Sequence, residues 1–220
     1  MNPKSTTYEF LESEYERNIK SRQLIFDGFL AEHVRSESVC LDYGCGPGFL
    51  ALATARRAEK VVACDISRGV LACAEAINPA PNIEYRMVEA NGRIPADEGS
   101  IDLAYCFAVF QHVTDETMSA ILSEFRRVLK PGARVVCHVI IERSSDRNWR
   151  SEAEWRADRS LKGRLRWQFG MRCFVRTRAS FEALVDKAGL GIVRLVPIAE
   201  LGVDLAQDDM VRQHLCLIQR

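Results

Sequence analysis

Apolar and polar positions along the chain follow two alternating rhythms. Short apolar runs fall at residues 39–43, 61–65, 83–88, 101–107 and 134–141. Between them, apolar residues recur at three- and four-residue spacing, as in Met118, Ile121, Leu122, Phe125, Val128 and Leu129. The first rhythm predicts strands and the second predicts amphipathic helices at 49–57, 69–77 and from Thr114 onward. Thr114 suits an N-cap, and Asp115 and Glu116 suit a first helical turn. The breaks are equally legible: Pro79 and Pro81 after the second helix, a turn-rich stretch at 91–99, and Lys130-Pro131-Gly132 after the third. Strands alternating with helices call for a parallel sheet covered on both faces.

The two flanks read differently. Tyr8, Leu11, Tyr15 and Ile19 share a helical face, and residues 24–34 predict a second helix. This pair either packs on the core or covers a ligand, with Tyr8 or Tyr15 reaching in. From residue 142 to 178 the chain turns polar, basic and tryptophan-bearing; a helix follows at 180–188, then two late strands at 192–196 and 214–218. No helix of ordinary length separates those strands, so an antiparallel edge is expected. The fold class is therefore α/β: a Rossmann-like, doubly wound sheet of about seven strands, mostly parallel with an antiparallel C-terminal strand, and a helical insert after the fifth. The boundaries are 1–36 for the helical cover, 37–141 for the core, 142–178 for the insert and 179–220 for the rest of the sheet.

One stretch organises the chemistry. The first apolar run ends in Asp42-Tyr43-Gly44-Cys45-Gly46-Pro47-Gly48, immediately before a predicted helix. Alternate glycines let the backbone turn tightly and present bare amides to a ligand, and the free N–H groups of a helix start favour anionic or hydrogen-bonding ligand groups. The next apolar run ends in Asp65, about 20 residues on, where an acid can take both hydroxyls of a ribose. The first half of the chain thus reads as an adenosine-cofactor site. A nicotinamide dinucleotide is the competing ligand, but its fingerprint wants glycine where Phe49 stands.

Composition narrows the class. At 220 residues and 47% apolar content the chain suits one domain with a sizeable core. Thirty basic and thirty acidic residues leave no net charge to draw it to nucleic acid or a membrane. No run approaches the ~20 apolar residues of a membrane span, and the N-terminus lacks a signal-peptide pattern, so a cytoplasmic location is expected. None of the eight cysteines forms a Cys-x-x-Cys pair, which argues against a metal site and for small buried hydrophobes. Cys45, inside the glycine loop, shapes a ligand pocket on this reading.

Taken in order, these features resemble a class I S-adenosylmethionine-dependent methyltransferase of the small-molecule type. Leu41-Asp42-Tyr43-Gly44-Cys45-Gly46-Pro47-Gly48 resembles that family's glycine loop, and Asp65 its acid after the second strand. Ser100-Ile101-Asp102-Leu103-Ala104 resembles the start of its fourth strand, Phe110-Gln111-His112-Val113 its Leu-x-His-Val segment, and Glu124 to Gly132 its Glu-x-x-Arg-Val-Leu-Lys-Pro-Gly-Gly turn, with Ala133 in place of the last glycine. The resemblance spans residues 37–141. It implies S-adenosyl-L-methionine as cofactor and S-adenosyl-L-homocysteine as product. It places Gly44, Cys45, Gly46 and Gly48 beside the methionine part, with Asp42 helping to position it. Asp65 would hold the ribose, Ile66 would pack on adenine, Glu89, Ala90 and Asn91 would meet the adenine edge, and the Phe107 carbonyl would take the amino group.

In such an enzyme the cofactor brings an activated methyl group and the protein mainly positions and desolvates. His112, just beyond the fourth strand, is the candidate catalytic base; the competing roles are capping the next helix or bordering the cofactor. His138 reads as a core histidine. No Asn/Asp/Ser-Pro-Pro-aromatic motif follows the fourth strand and there is no Pro-Cys dipeptide, so a small-molecule acceptor is the expectation. Residues 143–178 hold ten arginines and one lysine against four acids, together with Trp149, Trp155 and Trp167. A lid of this charge would favour an anionic acceptor; a solvated surface and a homodimer contact are the other roles. An RNA-modifying enzyme using this insert, and a cofactor-binding protein without catalysis, are the alternative functions.

Overall fold

The computed structural model describes residues 3–141, 149–168, 173–201 and 213–220. Seven strands form one sheet: β1 (Val39–Tyr43), β2 (Lys60–Asp65), β3 (Ile83–Met87), β4 (Ile101–Cys106), β5 (Leu129–Ile140), β8 (Gly191–Pro197) and β9 (Gln213–Gln219). Their order is β3-β2-β1-β4-β5-β9-β8. The first five run parallel, and β9 is antiparallel to both β5 and β8. This is the doubly wound sheet with an antiparallel C-terminal edge that the hydrophobic pattern predicts. The order reverses between β1 and β4, which opens a crevice at the carboxyl ends of those strands.

Successive strand residues feed opposite layers, as the two-residue strand period requires. Leu41, Val62, Ala104 and Val135 face one core, which α4 (Asp115–Val128) and α7 (Arg178–Lys187) close with Met118, Leu122, Phe125, Phe181 and Val185. Cys40, Val61, Leu103 and Val136 face the other, closed by α2 (Phe49–Ala55) and α3 (Arg68–Ile77). Each fully buried aliphatic side chain contributes roughly 1.5–3 kcal/mol. Thr114 caps α4 by accepting from Thr117 N at 3.2 Å. Much of the sequence signature is structural glue. Arg127 donates to the carbonyls of Ile94 and Ala96, Glu124 accepts from Ile94 N, and Asp102 bonds Val39 N and Lys130.

The N-terminal segment departs from the expected helix pair. α1 (Pro3–Ile25) runs unbroken, then widens into a π turn (Phe26–Leu30) and tightens into a 3-10 turn (Ala31–His33). No proline or glycine lies between residues 4 and 27 to break it. Phe26, Phe29 and Leu30 are buried on the α2 side of the sheet. Tyr15 pins the helix to the core: its hydroxyl reaches Asn78 Oδ1 at 3.0 Å and its ring packs 5.3 Å from Phe49. The side chain of Tyr8 lies outside the described residues.

Residues 142–148 lie outside the described set, and the insert from Trp149 onward is built of short elements. Ser151 and Glu154 form a capping box that starts α5 (Glu152–Ala157), and Asp158, accepting from Ser160 N, ends it before α6 (Leu161–Gln168). β6 (Trp149–Arg150) and β7 (Cys173–Phe174) pair in a two-stranded parallel sheet. Trp155 is buried and donates to Cys173 O at 3.0 Å, whereas Leu161 is exposed.

Candidate active site

The glycine loop leaves β1 in a left-handed conformation, with φ of 72° at Gly44, 53° at Gly46 and 82° at Gly48. Side chains at the first and last would run into Val109 and the Tyr85 hydroxyl, while nothing lies within 4 Å of a Cβ at Gly46. The loop is therefore packed at its ends and open in the middle. Its amides are tied to β2: Gly44 N and Cys45 N donate to Cys64 O, and Gly46 N donates to Asp65 Oδ2 at 3.1 Å. Asp65 also accepts from Ser67 N at 2.9 Å, so one carboxylate organises the loop and the start of α3.

A cavity of 310 Å³ lies against the loop, lined by Asp42, Gly44, Cys45, Gly46 and Phe107 together with Asn18 and Arg22 of α1. Asp42 is 2% exposed, and its Oδ2 has no hydrogen-bond partner among the described residues. Burial pushes its carboxyl up to about 8, with Arg22 opposing and Asp65 reinforcing the shift. A ligand that donates a hydrogen bond or brings positive charge would supply what Asp42 lacks. Burial also raises the Cys45 thiol, which stays protonated and shapes the wall.

The remaining predicted cofactor residues lie around this cavity without lining it. Gly48 stands behind it as the N-cap of α2. Ile66, just past β2, is 77% exposed, a large apolar side chain with nothing on it. Glu89, Ala90 and Asn91 form an exposed turn joined to β2 by Val88 N donating to Asp65 O at 3.0 Å. Asp65, Ile66 and this turn thus share the carboxyl edge of β2 and β3. An orphaned acceptor at Asp42, an open face at Gly46, an acid at Asp65 and a bare Ile66 suit the amino-acid, ribose and adenine parts of S-adenosylmethionine in turn.

A second, larger cavity of 690 Å³ adjoins the first through Asn18, Arg22, Phe107 and Ala108. Ala108 holds φ of 60°, a conformation that costs a non-glycine residue roughly 1–2 kcal/mol. His112 lines this cavity from an exposed position on the 3-10 turn Phe110–His112, its Nδ1 3.7 Å from Cys173 Sγ. Gln111, His138, Ile140 and Gln213 line it from the sheet side, and Arg17, Lys20, Arg22 and Glu16 from α1. His138 is therefore not a plain core histidine, since it borders open space beside Phe107.

Three contributors escaped sequence reasoning. Arg22 lies over the Phe107 ring at 5.2 Å and lines both cavities, yet in sequence it is one more charge on a helix. Gln213 lies beyond the insert and carries no local signal. Arg176, 5% exposed, donates to Phe110 O, Val113 O and Asp115 Oδ1, each at 2.7 Å, and so clamps the turn that carries His112. The expectation that the insert's arginines surround the acceptor finds no support among the described residues. Arg164 faces a separate surface depression with Trp155 and Trp167, and Cys173 is the insert's contribution to the second cavity.

Known proteins match this arrangement. Residues 41–137 match the family described as "Methyltransferase domain". The ubiquinone biosynthesis O-methyltransferase of Alkalilimnicola ehrlichii is 32% identical over 98 residues, which cover 44% of this chain and 39% of that protein. The chain thus matches about two fifths of the length of such curated relatives. Among solved structures, a Haloferax volcanii methyltransferase in complex with the Trm112 methyltransferase activator aligns with a TM-score of 0.65 at 19% identity, covering 96% of this chain and 92% of that one. An S-adenosylmethionine-dependent methyltransferase from Mesorhizobium loti aligns at 0.61 and 20% identity, covering 86% and 93%. The stretch from Leu41 to Cys137, which carries the glycine loop and the turn after β4 that both cavities share, is thus similar to the methyltransferase domain, and the chain as a whole has the fold of solved structures described as S-adenosylmethionine-dependent methyltransferases.

Proposed function

We propose that this protein is an S-adenosylmethionine-dependent methyltransferase acting on a small-molecule acceptor. The observation that carries the reading is the junction of two cavities at Phe107 and Ala108, one against the glycine loop and one against His112. When bound, the cofactor supplies a methyl group activated on a sulfonium sulfur. Asp65 holds the ribose hydroxyls, Ile66 covers adenine, and Asp42 with the Gly44–Gly48 loop orients the amino-acid end. The second cavity receives the acceptor and excludes water; orientation of this kind supplies roughly 7–11 kcal/mol. His112 stands at the rim as the candidate base, and an anionic group on the acceptor meets Arg17, Lys20 and Arg22 rather than the insert.

Calorimetric titration with S-adenosylmethionine and S-adenosylhomocysteine, with NAD as the comparison ligand, tests this. Binding of the two sulfur ligands that is lost in Asp65→Ala is the expected result. Heat from NAD alone would return the glycine loop to a dinucleotide.

A further inference from the structure

The sequence draws attention to His112, yet the second cavity has another histidine in a more unusual state. His138 is 3% exposed near the carboxyl end of β5. Its Nε2 lies 3.1 Å from Gln213 Oε1, and its ring stacks on Phe107 with centroids 4.7 Å apart and planes 30° apart. Its Nδ1 is buried without a hydrogen-bond partner among the described residues. With the Gln213 amide oxygen facing Nε2, the tautomer that completes this hydrogen bond has its proton on Nε2 and leaves a lone pair on Nδ1. A buried polar atom left unpaired is costly, and a histidine serving only the core would have its second nitrogen satisfied.

A second observation points the same way. Gln111 also lines this cavity, is 7% exposed, and has its own buried acceptor, Oε1, without a partner among the described residues. Both missing partners are donors. Phe107, which stacks on His138, lines the first cavity as well, so the imidazole is one ring away from the cofactor side.

We propose that His138, oriented by Gln213, receives a hydrogen bond from the acceptor, and that the site selects substrates presenting an O–H or N–H there. The inference rests on the methyltransferase reading and names the acceptor class: alcohols, phenols or amines, in preference to carboxylates. Burial, with Arg22, His214 and His112 nearby and against the Gln213 hydrogen bond, lowers the His138 pKa to about 4, so the lone pair is available at neutral pH. A carboxylate has no hydrogen to give to two bare acceptors; an anionic substituent belongs at Arg17, Lys20 and Arg22. Gln213 acts through His138 and is a positioning residue.

Phenol and anisole, one ring with and without an O–H, test the contact. Each is titrated into the full chain with and without S-adenosylhomocysteine while the His138 ring signals are followed by NMR. Phenol should move those signals and bind on the order of fivefold more tightly than anisole. His138→Phe, which keeps the volume filled, should erase the preference, and Gln213→Leu should weaken it. Equal binding of the two probes, no response to phenol, or a preference that survives His138→Phe overturns the proposal. Calorimetry with S-adenosylhomocysteine on the same samples separates the two readings. Cofactor binding retained while the phenol test fails removes this inference alone, and cofactor binding absent from the wild-type chain removes the methyltransferase reading.

Discussion

The two cavities are neighbours built in opposite ways. The cavity proposed for the cofactor is largely the product of one continuous stretch, Asp42 to Leu50, with Phe107 and a wall from α1. The cavity proposed for the acceptor draws on α1, the turn after β4, β5, β7 and β9, elements spread across the whole chain. A ligand common to many enzymes is served by a local backbone device. A ligand particular to one enzyme is served by side chains that only the finished fold brings together. The electrostatics diverge as well. The cofactor side buries a carboxyl that favours its proton, and the acceptor side buries an imidazole that rejects one.

That contrast yields opposite pH behaviour, and the largest expected effect tests it. Burial raises the Asp42 carboxyl to about 8 from an ordinary value of 3.8. Its contribution to stability is full below the unfolded value and is lost as pH rises from about 4 to about 8. In the ligand-free protein, Asp42→Asn should therefore raise stability at pH 7 by on the order of 4 kcal/mol, read as a higher Tm, while weakening S-adenosylhomocysteine binding. A variant no more stable than the wild type at pH 7 would deny the buried carboxyl its cost.

Arg176→Ala comes next, at about 3 kcal/mol lost from breaking three short charge-assisted hydrogen bonds. It should disturb the acceptor side first. His112 amide exchange should accelerate while S-adenosylhomocysteine affinity changes little, and equal damage to both would show that the clamp supports the whole crevice. His138 gives the mirror image of Asp42. Its folded pKa is near 4 against 6.5, so its contribution is present above 6.5 and lost as pH falls toward 4. Near pH 4.5 this costs on the order of 3 kcal/mol, and His138→Phe should flatten that acid limb in a pH series of denaturant melts. The smallest effect belongs to the rim. Replacing Arg17 and Lys20 with glutamine should leave cofactor affinity within about twofold and weaken an anionic acceptor only a few-fold, because exposed charges are screened.

The same contrast explains what could be read in the sequence. β1 to β5 and their helices follow from hydrophobic period and turn residues, because each element announces itself within a dozen positions. Gly44, Gly46, Asp65 and Asp42 stand out because tight backbone turns admit few residue types. Lys130-Pro131-Gly132 marks the end of α4, and Glu124 with Arg127 belongs to a motif whose visible work is to hold the 94–96 turn. Arg22, Gln213 and Arg176 carry no such mark. One arginine among thirty basic residues has no local sign that it will be buried, and Arg176 matters only once β7 lies beside the turn after β4. His138 read as core because it alternates correctly within a strand; that its neighbour Phe107 fronts a cavity is a tertiary fact. The insert reads as helical, and the start of its first helix has a local sign in the sequence, the Ser151–Glu154 capping box.

Asn18, Arg22, Phe107 and Ala108 form the party wall between the two cavities. Four residues that line both cavities would touch both proposed occupants and make their affinities interdependent. Linkage then requires reciprocity: whatever factor the cofactor adds to acceptor affinity, the acceptor must add to cofactor affinity. An acceptor screen need not detect methyl transfer at all, because a true acceptor will reveal itself as the compound that changes the dissociation constant of S-adenosylhomocysteine.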